Sequence, residues 1–299
     1  MELQQMRYVV AIAETGNFTR AAERCLVVQS ALSHQIARLE RELGARLFDR
    51  TSRRVRLTSA GEAFLPAARQ ALDAAERARA EVAASAGEIR GGLAVGAIPT
   101  VTAVDLPTVL RHFHLRHRQV RISLRSGASE ELTERVRQGT LDVAFLGLPL
   151  GAAPRGVRGR ELARGDLVAV VAPGHPLADR ERLELRHLSD EPFVDFPAGT
   201  AGRVQSDEAF AAAGVRREVA FEVSSPDFMA RLIRQGLGIG MLPAAFAAGL
   251  PDLPVLRLRD APARMEHLIW SRFPPSPAAA AFLSALAVPV AGTPEPAGP

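Results

Sequence analysis

The chain has no lysine, so all 37 of its basic residues are arginine. Codon bias of a GC-rich bacterial genome accounts for that before any functional choice. It has one cysteine, Cys25, which excludes an intrachain disulfide and suits a reducing compartment. No run approaches the ~20 apolar residues of a membrane span. The chain starts with acidic Glu2 and a helical pattern rather than a basic, then apolar, leader. Secretion is therefore not expected, and a cytoplasmic location is. A metal-ligand set is also missing. "RHFHLRH" places His112, His114 and His117 together, but no cysteine or carboxylate completes a set, so a solvated helix end is expected there.

A chain of 299 residues with 47% hydrophobic content is long enough for two domains or three small ones. Its formal charge of +4 is unevenly spread. Residues 1–58 hold ten arginines against six acids, and the other 27 arginines are balanced by 27 acids. The whole excess lies in the first fifth of the chain, the pattern of a polyanion-binding module joined to a neutral one.

Segment 1–58 reads as compact and helical. Met6, Val9, Val10, Ile12 and Ala13 recur at helix spacing, and Gly16 ends that helix. Asn17 is an N-cap for a second helix through Arg24. A third is expected from Gln29 to Leu43, stopped by Gly44, and two short helices with a tight link form a helix-turn-helix. In "VVQSALSHQI", Ala31, Leu32 and Ile36 suit a buried face, leaving Gln29, Ser30, Ser33 and His34 pointing outward. "TSRRVRLT", 51–58, then reads as a short basic hairpin, or wing.

From Ser59 a capping box with Glu62 opens a long helix. Phe64, Ala68, Ala71, Ala75, Ala78 and Val82 recur at alternating spacings of four and three, a heptad seam with nothing in its own helix to cover it. Pairing with a second chain is expected, and Pro66 is a point for a bend. Beyond Gly92 apolar strands alternate with helical stretches, at 93–98, 120–125, 141–146, 167–172, 193–196, 220–223, 239–242 and 267–271. Helices are expected at 101–117 and 226–235. That alternation implies an α/β domain with a largely parallel sheet. The Pro/Gly-rich end is expected to be disordered.

"NFTRAAERCLVVQSALSHQIARLERELGARLFDRTSRRVRLTSAGE" resembles the winged helix-turn-helix of LysR-type transcriptional regulators. The similarity continues through "LDVAFLG", "GLGIGMLP" and "HLIWSR", covering nearly the whole chain. The resemblance implies an overall α/β fold with three parts: a DNA-binding domain at 1–58, a dimerisation helix at 59–90 and a two-lobed, periplasmic-binding-protein-like effector domain at 91–290. Lobe I would be about 91–163 and 267–290, lobe II about 164–266, with a tail at 291–299. It implies no enzymatic activity and no cofactor. The partners it implies are double-stranded promoter DNA, a small-molecule effector between the lobes and further copies of the chain, as a dimer or a tetramer.

By the same resemblance, Gln29, Ser30, Ser33 and His34 lie on the recognition helix, and Arg53, Arg54 and Arg56 on the wing. Glutamine can both donate and accept at adenine N6/N7, serine suits purine or pyrimidine edges, and arginines meet phosphates or a narrow minor groove. Val28 stands where a Ser or Thr cap is common, Ser30 where Pro is frequent and His34 where Arg is frequent. Losing the cap would cost about 1 kcal/mol. Pro99, Thr100, Ser129, Phe196, Thr200 and Ser225 would face the effector, on loops that end strands and open helices, with ordinary N-capping as the plain alternative. A carboxylate is the expected effector class.

Arg203 either pairs with an acid or lies on the surface, and Trp270 is expected in a strand core. Oxidant-sensing relatives use C-terminal cysteines, which this chain lacks, and Cys25 reads as a small core residue. Ser33–His34 is no nucleophile and base, because adjacent helical residues face different ways and no nucleophile elbow surrounds them. A solute-binding protein or an enzyme using the cleft is the alternative reading. The former should carry a leader and no basic helix-turn-helix, the latter convergent acid, base or nucleophile groups.

Overall fold

The computed structural model describes residues 1–50, 55–180 and 182–287. They fall into two compact units, divided between Gly91 and Gly92. The wing tip with Arg53 and Arg54, and the tail at 291–299, lie outside the described residues.

The first unit is built on α1 (Leu3–Thr15), α2 (Phe18–Arg24) and α3 (Gln29–Leu43). Gly16 closes α1 at φ 62°, and Gly44 closes α3 at φ 68°. Asn17 caps α2 by accepting from the backbone N–H of Thr19 and Arg20. Val9, Ile12, Ala21, Leu32, Ile36 and Leu39 are fully buried at the centre. Each buried Val, Ile or Leu side chain there is worth about 1.5–3 kcal/mol. Ala31, expected on that inner face, is exposed instead, because one turn of α3 buries only Leu32 against α1 and α2. Leu26 is also outside the core, 91% exposed at φ 56° in the turn between α2 and α3, and Cys25 beside it is half-buried.

The first wing strand sits earlier than expected, and the second falls within the expected 51–58. β1 (Phe48–Arg50) pairs antiparallel with β2 (Val55–Leu57), opposing Phe48 to Leu57. Phe48 is drawn into the core and meets the Phe18 ring edge-on at 5.9 Å. α4 (Ser59–Ser85) follows, and its cap is Thr58, one residue before the expected Ser59. Thr58 Oγ1 accepts from Gly61 N at 3.0 Å and donates to Arg46 O at 2.6 Å. A Cβ on Gly61 would lie 2.1 Å from Leu47 O, so the helix starts where only glycine lets the backbones meet.

The seam of α4 is partly covered within its own chain. Ala68 is buried near α1, and the pairs Arg7–Glu76 and Arg69–Glu14 tie the two helices. Further along, Ala78 and Val82 stay exposed, Val82 at 71%.

The second unit begins with β3 (Gly91–Ala97), α5 (Leu106–Arg116), β4 (Val120–Ser126), α6 (Ser129–Arg137) and β5 (Val143–Pro149). It continues with β6 (Arg158–Val170), β7 (Arg182–Leu183), β8 (Pro192–Asp195), α7 (Ala201–Ala212) and β9 (Glu218–Glu222). Then come α8 (Pro226–Arg234), β10 (Gly240–Pro243), α9 (Ala244–Ala247), β11 (Val255–Leu258), β12 (Ala263–Trp270) and α10 (Pro277–Ala285). Eight strands share one sheet in the order β4-β3-β5-β12-β6-β11-β7, with β10 beside β6, and β8 and β9 form a separate pair.

The sheet is not largely parallel. β12 runs antiparallel to both β5 and β6, and β10 and β11 run antiparallel to β6. Parallel pairing joins β3 to β5, β7 to β11 and β8 to β9. Buried strands read as apolar runs in either direction, so composition did not distinguish the two. β6 carries two ladders in succession: Arg158–Asp166 pairs with β12, and Leu167–Val170 with β10.

α5 starts five residues later than expected, capped by Asp105, because Glu266 takes the backbone N–H groups of Thr102 and Ala103. In the α7 region Arg217 binds Asp195 and Asp207, each at 2.6 Å, and lies over the Phe193 and Phe210 rings.

Candidate functional site

The outer face of α3 is polar. Gln29, Ser30 and His34 are exposed and Ser33 is half-buried, while Leu32, Ile36 and Leu39 face inward. Gln29 Nε2 donates to Ser33 Oγ at 2.9 Å, which fixes the amide one turn along the helix. Val28 adopts the extended cap conformation but makes no side-chain cap bond, so the first N–H groups of α3 lack that partner. Arg56 is exposed on β2. Donors, acceptors and positive charge thus share one unit, and a helix face of this size fits a major groove.

In the second unit all six expected effector residues, Pro99, Thr100, Ser129, Phe196, Thr200 and Ser225, line one cavity of about 680 Å³. Ser129 is buried, and its hydroxyl bonds both the N–H and the carbonyl of Gly147 at 3.2 Å. Ser225 caps α8 by accepting from Phe228 N, so the capping alternative holds for it. Thr200 sits at the cap of α7 without capping it, because its hydroxyl donates to Pro197 O at 2.8 Å. Arg203 pairs with Asp207 and Glu222.

Among the lining residues missed in the sequence are two buried polar side chains. Arg264 lines the cavity at 6% exposure and donates to Thr100 Oγ1 at 3.0 Å, Thr100 O at 3.1 Å and Glu266 Oε1 at 2.9 Å. Burial pushes its guanidinium below its usual range, against the pull of Glu266. Gln205 is the other, on the cavity face of α7. The alternation Arg264-Met265-Glu266 in a strand was the available signal for the first, since both charges fall on one face.

Elsewhere, His112 and His114 are exposed and His117 packs tilted against Phe113, ring centroids 4.8 Å apart. Trp270 is 7% exposed in β12. No helix among the described residues is long and apolar enough to cross a membrane.

Residues 3–62 match the model for a bacterial regulatory helix-turn-helix protein of the lysR family, and residues 86–288 match the LysR substrate binding domain. A probable hydrogen peroxide-inducible genes activator of Mycobacterium avium is 36% identical over 239 residues, 80% of this chain and 76% of that one. ShiR, an HTH-type transcriptional regulator of Corynebacterium glutamicum, is 32% identical over 91% of this chain and 93% of its own. The crystal structure of full-length CbnR complexed with its target DNA matches with a TM-score of 0.73 at 27% identity, over 96% of this chain and 99% of that one. A cysteine-to-aspartate variant of full-length OxyR from Pseudomonas aeruginosa matches with a TM-score of 0.70 at 28% identity, over 96% and 93% of the two chains. A basic helix-turn-helix unit followed by an α/β unit with a lined cavity is the arrangement of these regulators, and this chain belongs to the LysR family of DNA-binding, effector-responsive transcriptional regulators.

Proposed function

We propose that α3 reads bases through Gln29, Ser30, Ser33 and His34, and that Arg56, with Arg53 and Arg54, holds the backbone. The observation that carries this reading is the division of α3, with its polar face outward and Leu32, Ile36 and Leu39 in the core. The DNA-binding domain is 1–58, the dimerisation helix 59–90 and the effector domain 91–290, with its two lobes meeting along β6 and β12. Ala78 and Val82, exposed on α4, support self-association through that helix.

The effector is a small carboxylate held by Pro99, Thr100, Ser129, Phe196, Thr200 and Ser225. The cavity supports this reading with the first turn of α7, which has neither a side-chain cap nor an acidic residue. The protein works in the cytoplasm and regulates rather than catalyses. Thr100 and Ser129, its buried hydroxyls at the cavity, are bonded to Arg264 and Gly147 rather than to a general base. A disulfide switch in the second unit needs two thiols, and the chain's one cysteine lies at position 25.

A footprint on the DNA upstream of its own gene tests the reading. Protection of a two-fold-related site, with half-sites one helical turn or a multiple apart and lost as salt rises, is expected. No salt-sensitive protection there would contradict it.

A further inference from the structure

α7 turns Ala201 and Gln205, one helical turn apart, toward the cavity. Gln205 is only 4% exposed, and its carboxamide, without a hydrogen-bond partner among the described residues, is not sealed in the protein but open to the cavity. The other buried polar groups on these walls are engaged: Ser129 with Gly147, and Thr100 with Arg264. Apolar Phe196, Leu167 and Met241 share the cavity lining with Gln205. An amide that meets only the cavity keeps its donors and its acceptor free for a ligand. Leucine would fill the same space, so no bond within the fold calls for glutamine at this position.

The position of the amide narrows the ligand class. The first turn of α7 presents N–H groups that Thr200 leaves uncapped, a place for a carboxylate. Gln205 lies four residues further on, about 6 Å along the helix axis. Its amide offers two donors and one acceptor oxygen, which suits a hydroxyl best because that group both donates and accepts. We propose that Gln205 is the specificity-determining contact of this cavity, and that the effector is a hydroxy acid whose hydroxyl bonds the amide while its carboxylate meets the first turn of α7. The proposal rests on the reading of the cavity as a carboxylate site.

The test compares the full-length protein with Gln205→Leu and, should that variant fold poorly, Gln205→Met. Without ligand, the substitution leaves Tm within about 2 °C, because it removes no hydrogen bond of the fold. A larger fall shows the amide to be structural and overturns the proposal. Calorimetric titrations then use pentanoate against 5-hydroxypentanoate, and cyclohexanecarboxylate against 4-hydroxycyclohexanecarboxylate. Wild type is expected to prefer a hydroxy acid at least tenfold over its parent, and the variant to bind both alike. A preference that survives in the variant overturns the role of Gln205 and leaves the carboxylate site standing. Binding of none of the four acids to either protein overturns both.

Discussion

Arg264 and Glu266 stand two residues apart on β12 with their charged groups 2.9 Å from each other, both buried, Arg264 in the cavity wall and Glu266 behind it. Glu266 also accepts from Thr102 N, Thr102 Oγ1 and Ala103 N, so one carboxylate holds both the guanidinium and the loop that leads into α5. Glu266→Gln leaves the buried guanidinium uncompensated. A loss of about 3–5 kcal/mol in unfolding free energy is expected, measured by urea titration. A change within about 0.5 kcal/mol, the range of an ordinary surface substitution, would show the pair to be dispensable.

The N-terminus of α3 makes the opposite case, a bond that the chain does without. Val28 has φ −76° and ψ 144°, already the backbone conformation of a cap, but no oxygen to serve as one. Val28→Ser should stabilise the first unit by about 1 kcal/mol. Far-UV circular dichroism during urea unfolding checks it, and an unchanged midpoint would mean that the serine finds no N–H to accept from.

A buried histidine sets the expected response to acid. His267 on β12 is 5% exposed, and its Nε2 has no partner among the described residues. Burial holds its pKa below the ordinary histidine value, against the attraction of Glu161. The unfolded chain therefore binds a proton at higher pH than the fold does. The stability this group contributes is complete above about pH 6.5 and is lost as pH falls through the folded pKa. His117 adds to the same trend, its pKa lowered by burial and by Arg116. Between about pH 7.5 and about pH 5.5, on either side of the ordinary histidine pKa, the urea midpoint should fall more for wild type than for His267→Gln. An equal fall would contradict the assignment.

Local signals carried the first unit, because each needed only a few adjacent residues. Gly16, Asn17 and Gly44 mark helix ends that the structure reproduces at those positions. Thr58 and Ser59 are neighbouring hydroxyls, and the contact of Gly61 with Leu47 decided which one caps α4. The cavity loops were legible for the same reason, as strand ends that open helices. Arg264 was not, since its partner Thr100 lies 164 residues away and only the sheet brings them together. The first half of β6, Arg158–Asp166, was missed because its side chains are mostly polar and exposed, which hides the alternation expected of a half-buried strand.

If α3 reads sequence while the wing supplies affinity, the two elements separate in one measurement. Gel-shift titrations at several salt concentrations make it, using the footprinted site and a scrambled duplex with wild type, Gln29→Ala and Arg56→Ala. Gln29→Ala should weaken binding to the site by about 1–3 kcal/mol and leave the scrambled duplex unchanged. Arg56→Ala should weaken both alike and lower the salt slope by about 1. Equal losses on both duplexes from Gln29→Ala, with the preference of wild type intact, would contradict the account.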